Sequence, residues 1–322
     1  MSEPKKLAVL IDADNSSHKN ITLILQEIVK LGLPTVKRVY GDWSSEISDN
    51  GKTINRLYAW RDVSLEHAIT PIHQFSYTKG KDATDMMLII NAMDLLYGGA
   101  IDGGFCLVSS DSDFTPLASR IRESGLKVYG FGERKTPSAF VNACDKFIYV
   151  ENLTKKEDVA LDGVGNQLQA CQDVVSVQEM DEKTLQLIFT AIKDTADDDG
   201  WADLSVLGQR LVALKPDFDP RTYGRAKLSG LLKQLGLFIM QERGSQKFVR
   251  KRTSFSKFLK LVDGLIKERY GVGQWIEMVA LTQTIDINPN EYGFCSVPLM
   301  FESINSKYFE LSDDKTQIRL VQ

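Results

Sequence analysis

Over the first 150 residues, short apolar runs alternate with amphipathic stretches. Runs rich in Val, Ile, Phe and Tyr predict strands at Lys6–Ile11, Thr35–Tyr40, Ile69–Phe75, Phe105–Ser109 and Lys127–Phe131, with Phe147–Val150 as a sixth. Between them, 3.6-residue spacing predicts helices from about Ser17 to Lys30, over Lys52–Glu66, over Thr84–Tyr97 and over Thr115–Ser124, the last stopped by Gly125. Strand–helix alternation predicts an α/β, Rossmann-like fold with a parallel sheet covered on both faces. In such sheets ligands collect beyond the carboxyl ends of the strands.

The pattern changes after residue 152. Residues 153–180 are acidic and polar without a clear period, as expected of a linker. Beyond them the chain repeats itself weakly. "DGWADLSVLGQRL" matches "GQWIEMVALTQTI" through Trp201 and Trp275, and Tyr223-Gly224 matches Tyr292-Gly293. Each copy closes on an apolar, strand-like end, near Phe248 and Ile318. The expected organisation is an α/β domain at 1–152, a linker at 153–180, and two small winged-helix-like modules at 181–253 and 254–322, the second divergent. The two tryptophans are expected in the cores of these modules.

Composition narrows the class. With 43% hydrophobic and 25% charged residues, the chain is an ordinary globular protein. It has no apolar run of the ~20 residues that span a bilayer. "MSEPKKLAVLIDADN" has too short an apolar stretch for a signal peptide, so a cytoplasmic location is expected. Cys106, Cys144, Cys171 and Cys295 are scattered, with no metal-ligand spacing, and read as inert thiols. His18, His67 and His73 leave little material for a histidine mechanism, and His73 reads as a packed side chain. The net charge of −4 conceals a local excess: residues 200–253 hold 11 basic and 4 acidic side chains, a net of +7.

Three pairs of aspartates fall at the ends of predicted elements. Asp12 and Asp14 follow the first strand, Asp82 and Asp85 open the long apolar helix, and Asp111 and Asp113 follow the fourth strand. In a parallel sheet all three pairs emerge at one edge. Carboxylates gathered there repel one another unless a cation intervenes. A hard divalent ion, Mg²⁺ or Mn²⁺, relieves that repulsion, activates water and holds a phosphodiester for in-line attack. Taken singly, Asp82, Asp85 or Asp113 also suits a helix N-cap. Asn15, Ser109 and Ser110 lie beside the acids and are candidates to bind phosphate or orient water, though the serines equally suit turns. Lys79 and Lys81 are candidates to attract the substrate backbone.

The stretches "LIDADN", "KGKDATDMMLIINAMDLLY", "LVSSDSDFTPLASRIRESGLKVYGFG" and "TPSAFVNACDKFIYVENL" resemble the NYN family in its bacterial LabA-like branch. The resemblance covers about the first 150 residues and implies a PIN-like fold with metal-dependent ribonuclease activity. It implies that Asp12, Asp85 and Asp111 hold the metal, with Asp113 next and Asp14 and Asp82 beside them. "FDPRTYGRAKLSGLLKQLGLFIM" is similar to the LOTUS, or OST-HTH, module, through Tyr223, Gly224, Lys227 and Leu228. That resemblance implies RNA as partner. Arg221, Arg225, Lys227 and Lys233, on or just before one predicted helix, would read phosphates, with Lys247, Arg250, Lys251 and Arg252 in a basic tail. The second copy has Ser296 and Val297 where the first has Lys227 and Leu228, so residues 254–322 are open to a protein partner instead. Self-association stays open.

Two other readings compete. "DADNS" after an apolar strand also resembles the opening of haloacid-dehalogenase-like phosphatases, with Asp12 as nucleophile and Asp14 as acid/base. That reading leaves Asp85 without a task. A third reading is a non-catalytic RNA-binding or regulatory adaptor.

Overall fold

The computed structural model describes residues 3–44, 46–49, 52–55, 57–75, 83–154, 180–285, 287–294, 296–304, 308–314 and 316–321. Two compact units emerge: Met1–Asp158 with Leu211–Gly224, and Val159–Arg210 with Arg225–Gln322.

The first unit is built on six strands: β1 (Lys6–Asp12), β2 (Leu33–Gly41), β5 (Thr70–His73), β6 (Gly104–Val108), β7 (Lys127–Gly132) and β8 (Lys146–Tyr149). They are parallel throughout and ordered β5-β2-β1-β6-β7-β8. β1 lies in the middle and is buried along nearly its whole length, which is why it reads as an unbroken apolar run. Ala8 and Leu10 face a core built with α3 (Ala83–Tyr97), α4 (Thr115–Glu123) and α5 (Ser138–Ala143). Leu7, Val9 and Ile11 face a second core built with α1 (Ile21–Val29), the start of α2 (Trp60–Glu66) and α6 (Val150–Thr154). The strand order reverses between β1 and β6, so the crevice beyond their carboxyl ends is the switch point of the sheet.

One expectation is corrected here. Residues 52–66 are not one helix: β3 (Glu46–Asp49) pairs with β4 (Lys52–Asn55) as a hairpin, and the helix begins only at Trp60. Asn50-Gly51 in the sequence between the two strands is the dipeptide most favoured in two-residue hairpin connections, and Thr53 and Ile54 are β-branched.

The second unit holds two copies of one architecture. The first comprises α7 (Glu182–Thr195), β9 (Ala202–Asp203), α8 (Leu204–Leu214, whose last turn belongs to the first unit), α9 (Leu228–Leu235), β10 (Phe238–Arg243) and β11 (Gln246–Lys251). The second comprises α10 (Phe255–Arg269), β12 (Ile276–Glu277), α11 (Met278–Thr284), α12 (Val297–Glu302), β13 (Phe309–Leu311) and β14 (Gln317–Leu320). The antiparallel sheets are ordered alike, β10-β11-β9 and β13-β14-β12. Pro220–Tyr223 and Pro289–Tyr292 form matching 3-10 turns, and the glycines that end them, Gly224 and Gly293, have φ of 74° and 91°. Only glycine adopts that backbone without strain, which explains why Tyr-Gly survives in both copies. The second copy has its own core, with Phe258, Val262, Leu281, Phe301 and Ile318 fully buried. No helix among the described residues is long and apolar enough to cross a membrane.

Candidate active site

Asp12 is the last residue of β1 and is fully buried. Each of its carboxylate oxygens accepts two hydrogen bonds. Oδ1 takes the backbone N–H groups of Asp14 (3.0 Å) and Asn15 (3.1 Å); Oδ2 takes Asn15 Nδ2 (2.9 Å) and Ser109 Oγ (2.8 Å). Burial pushes the Asp12 carboxyl above its ordinary value, and these hydrogen bonds pull against that without cancelling it. A carboxylate held this way is costly to ionise and gains most from a nearby cation.

Ile11 pairs with Val108, so Asp12 stands level with Ser109, one residue beyond β6. The Ser109 hydroxyl, buried, donates to Asp12 and accepts from the Asp111 backbone N–H (3.0 Å). Asp111 is half-buried, and its side chain caps the following 3-10 turn by accepting from the Asp113 backbone N–H (2.9 Å). Asp113 is exposed beside it, and Asp14 is half-buried. Asp85 lies in the first turn of α3, half-buried, and α3 packs on β1 and β2. Helices in such a unit run back from the carboxyl edge of the sheet, so α3 begins at the edge where β1 ends. Asp82, Lys79 and Lys81 lie outside the described residues.

The topology thus brings Asp12, Asp85 and Asp111 to one edge. Among the described residues, though, no three His, Cys, Asp or Glu side chains form a group that could hold a metal. At Asp12, four donors fill the lone-pair positions of the two carboxylate oxygens. The donor chemistry still fits a hard divalent ion, because the acids offer only oxygen. Ligation by Asp12 would replace one of its present hydrogen bonds.

Two neighbours of the acids are engaged within the chain. Asn15 holds Asp12, and Ser110 Oγ accepts from the Glu133 backbone N–H (2.9 Å), which ties down the turn after β7. Sequence reasoning undervalued Ser109 as a turn residue. The available signal was its position directly after a fully buried strand, level with Asp12. Gly132 completes the wall: a Cβ there would lie 2.7 Å from both Ser109 O and Thr136 Oγ1.

The basic residues of the C-terminal region divide into two groups. Arg221, within the first unit, is engaged by Asp219 (2.8 Å) and Glu27 (3.2 Å). Arg225 donates to Gln234 (2.7 Å), Lys247 pairs with Glu242 (2.9 Å), and Arg250 pairs with Glu291 (2.8 Å). Lys227, at the N-cap of α9, and Lys233, in its last turn, are exposed. Trp201 and Trp275 are not core residues, contrary to expectation. Trp201 is half-buried, with the Arg243 and Arg250 guanidiniums 5.2 and 4.8 Å from its ring centre, and Trp275 is exposed, with Arg319 at 4.5 Å. Cation–π pairing on the sheet surface explains both positions. Arg243 also lies over Phe248 and went unnoticed in the sequence.

Residues 6–152 match the NYN domain and residues 177–250 match the OST-HTH/LOTUS domain. No curated protein matches the chain. A crystal structure of a protein of unknown function from Vibrio parahaemolyticus is 18% identical, with a TM-score of 0.35, over 46% of this chain and 93% of its own.

Proposed function

This chain carries an NYN domain followed by an OST-HTH/LOTUS domain, and from that premise we propose that it is a divalent-metal-dependent endoribonuclease of the cytoplasm with a C-terminal RNA-binding region. The observation that carries the reading is Asp12, a buried carboxylate made costly to ionise, at the switch point of a parallel sheet and hydrogen-bonded through Ser109 to the strand end that bears Asp111.

In this reading Asp12, Asp85 and Asp111 hold Mg²⁺ or Mn²⁺, with Asp113, Asp14 and Asp82 around them. The ion, when bound, supplies neutralisation of phosphate charge and a more acidic water. The chain's own part is positioning. Ser109 and Asn15 fix the Asp12 carboxylate, and the hydrogen bond from the Asp111 N–H to Ser109 ties the second strand end to the first. Lys79 and Lys81 are proposed to draw the RNA backbone toward this edge. Lys227 and Lys233 are the exposed candidates for phosphate contact on α9, and Lys247 and Arg225 are further candidates. The working division is 1–152 for the nuclease domain, 153–180 for the linker, 181–253 for RNA binding and 254–322 for a protein partner.

A phosphatase with Asp12 as nucleophile is disfavoured, because it gives no task to Asp85, which opens α3 at the same edge of the sheet. The test is cleavage of matched single-stranded RNA and DNA with Mn²⁺, Mg²⁺ or EDTA, by wild-type protein and by Asp12→Asn and Asp111→Asn. RNA cleavage that needs the ion and both aspartates supports the proposal. Cleavage surviving both substitutions, or turnover of p-nitrophenyl phosphate in its place, overturns it.

A further inference from the structure

Beside the edge strand β5, in the first unit, lies a cleft of about 600 Å³ lined by Trp43, Leu57, Tyr58, Arg61, Ser64 and His73 among others. We propose that this cleft takes a nucleobase of the RNA strand whose phosphodiester lies at Asp12. The inference rests on the ribonuclease reading above and adds to it a subsite that selects the base near the cut.

Asp12 pairs with Tyr40 on β2, and Tyr40 pairs with Ile72 on β5. The upper end of the cleft, at His73, therefore stands two strands along the same edge from Asp12, about 10 Å at ordinary strand spacing. That distance suits a nucleotide neighbouring the scissile phosphate. Ala8 and Leu10 share the α3 face with Asp12 by alternation, whereas Gly41, Pro71 and His73 turn to the other. An RNA strand that reaches both would pass over the edge of the sheet, with its phosphodiester at Asp12 on one face and the neighbouring base on the other.

The Trp43 indole is fixed by donation of Nε1–H to Ile72 O (2.9 Å), and the Trp43 backbone N–H donates to His73 Nδ1 (3.2 Å). A neutral His73 that accepts at Nδ1 carries its proton on Nε2, a donor for a base edge. Tyr58 leaves 61% of its surface open. Exposed aromatic faces beside apolar walls stack any base. Arg61 is exposed and supplies a cation for the attached phosphate. Aromatic faces, the His73 ring nitrogen and one peripheral cation match a nucleotide better than an apolar side chain.

The test needs neither metal nor cleavage. The full chain in EDTA is titrated with AMP, GMP, CMP and UMP, and tryptophan fluorescence is read. Quenching by at least one mononucleotide is expected, lost in Trp43→Phe, with affinity weakened about fivefold or more in Tyr58→Ala. Tyr58 is exposed, so that variant should keep the circular dichroism spectrum of the wild type. No quenching up to about 10 mM, a range that reports even weak stacking, overturns the proposal, as does equal binding by Tyr58→Ala. RNA cleavage without mononucleotide binding would sink the cleft and leave the ribonuclease standing. Tyr58-dependent binding without cleavage would do the reverse.

Discussion

Ser109 and Asp12, 97 positions apart in the chain, meet at 2.8 Å where two neighbouring parallel strands end. The hydroxyl is one of four donors that restrain the upward shift of the Asp12 carboxyl, and it also gives the Asp111 N–H its acceptor. Ser109→Ala should therefore move Asp12 further up. The acid limb of the pH–activity profile should shift to higher pH, and urea unfolding should show a loss of about 1–2 kcal/mol. An unmoved acid limb would mean that Ser109 supports the strand end without tuning the carboxylate.

Asp12 also sets a pH dependence of stability. Its native carboxyl sits above the ordinary value because it is buried. The native state then holds the proton longer than the unfolded chain does. Stability intact at low pH is lost as pH rises from the ordinary carboxylate value through the raised native one. Asp12→Asn removes that loss. In EDTA the wild type should therefore lose stability relative to the variant as pH rises through that range, whatever constant penalty the amide carries for setting a donor against the groups that now donate to Asp12, while Mn²⁺ should raise the melting temperature of the wild type alone. Equal stabilisation of both proteins by Mn²⁺ would place the ion elsewhere.

The chain displays its α/β core openly because β1, β6 and β7 are buried on both faces and therefore appear as apolar runs whose ends differ from the structure by only a residue or so. The β3–β4 hairpin was obscured because Lys52–Glu66 has a mixed pattern, and the Asn50-Gly51 turn signal was outweighed by the helix that starts at Trp60. The edge that carries Asp12, Asp85 and Asp111 follows from strand order, which parallel connections restrict strongly. Which partner each polar side chain takes does not follow from it. Asn15 and Ser109 are bound up with Asp12, and Arg221 with Glu27, through contacts that span up to 194 positions. The tryptophans misled for a related reason: an aromatic at an element start looks like core until the arginine stacked on it is seen.

Gly132 ends β7 against the backbone of Ser109, and a Cβ there would press on Ser109 O, Thr136 Oγ1 and the Phe147 ring. Two of these neighbours cannot swing away, since one is backbone and Phe147 is fully buried. Gly132→Ala should cost about 2 kcal/mol, the usual scale of overpacking. Because the displaced atom belongs to Ser109, RNA cleavage measured well below the melting temperature should also fall. A variant that is less stable yet fully active would show that the strand end yields elsewhere.

Arg221 and Lys227 differ in what they hold, although both are cations of one sequence motif. The Arg221 guanidinium is only 23% exposed and bridges Asp219 to Glu27 of α1 within the first unit. Burial works to raise the Glu27 carboxyl, but Lys30 and Arg221 together hold it below its ordinary value. The stability this gives is present above the ordinary carboxylate value and is lost as pH falls through the lowered native one. Arg221→Ala leaves two largely buried carboxylates without their shared partner, so it should cost about 2 kcal/mol near neutral pH and progressively less in acid. Lys227, exposed at the N-cap of α9, makes no such bridge among the described contacts. Lys227→Ala should leave the melting temperature unchanged and lower the slope of log affinity for RNA against log salt by about one. Arg221→Ala should leave that slope as it was. If the slopes change the other way round, Arg221 leaves its carboxylates to meet phosphate, and the exposed face of α9 is not where RNA binds.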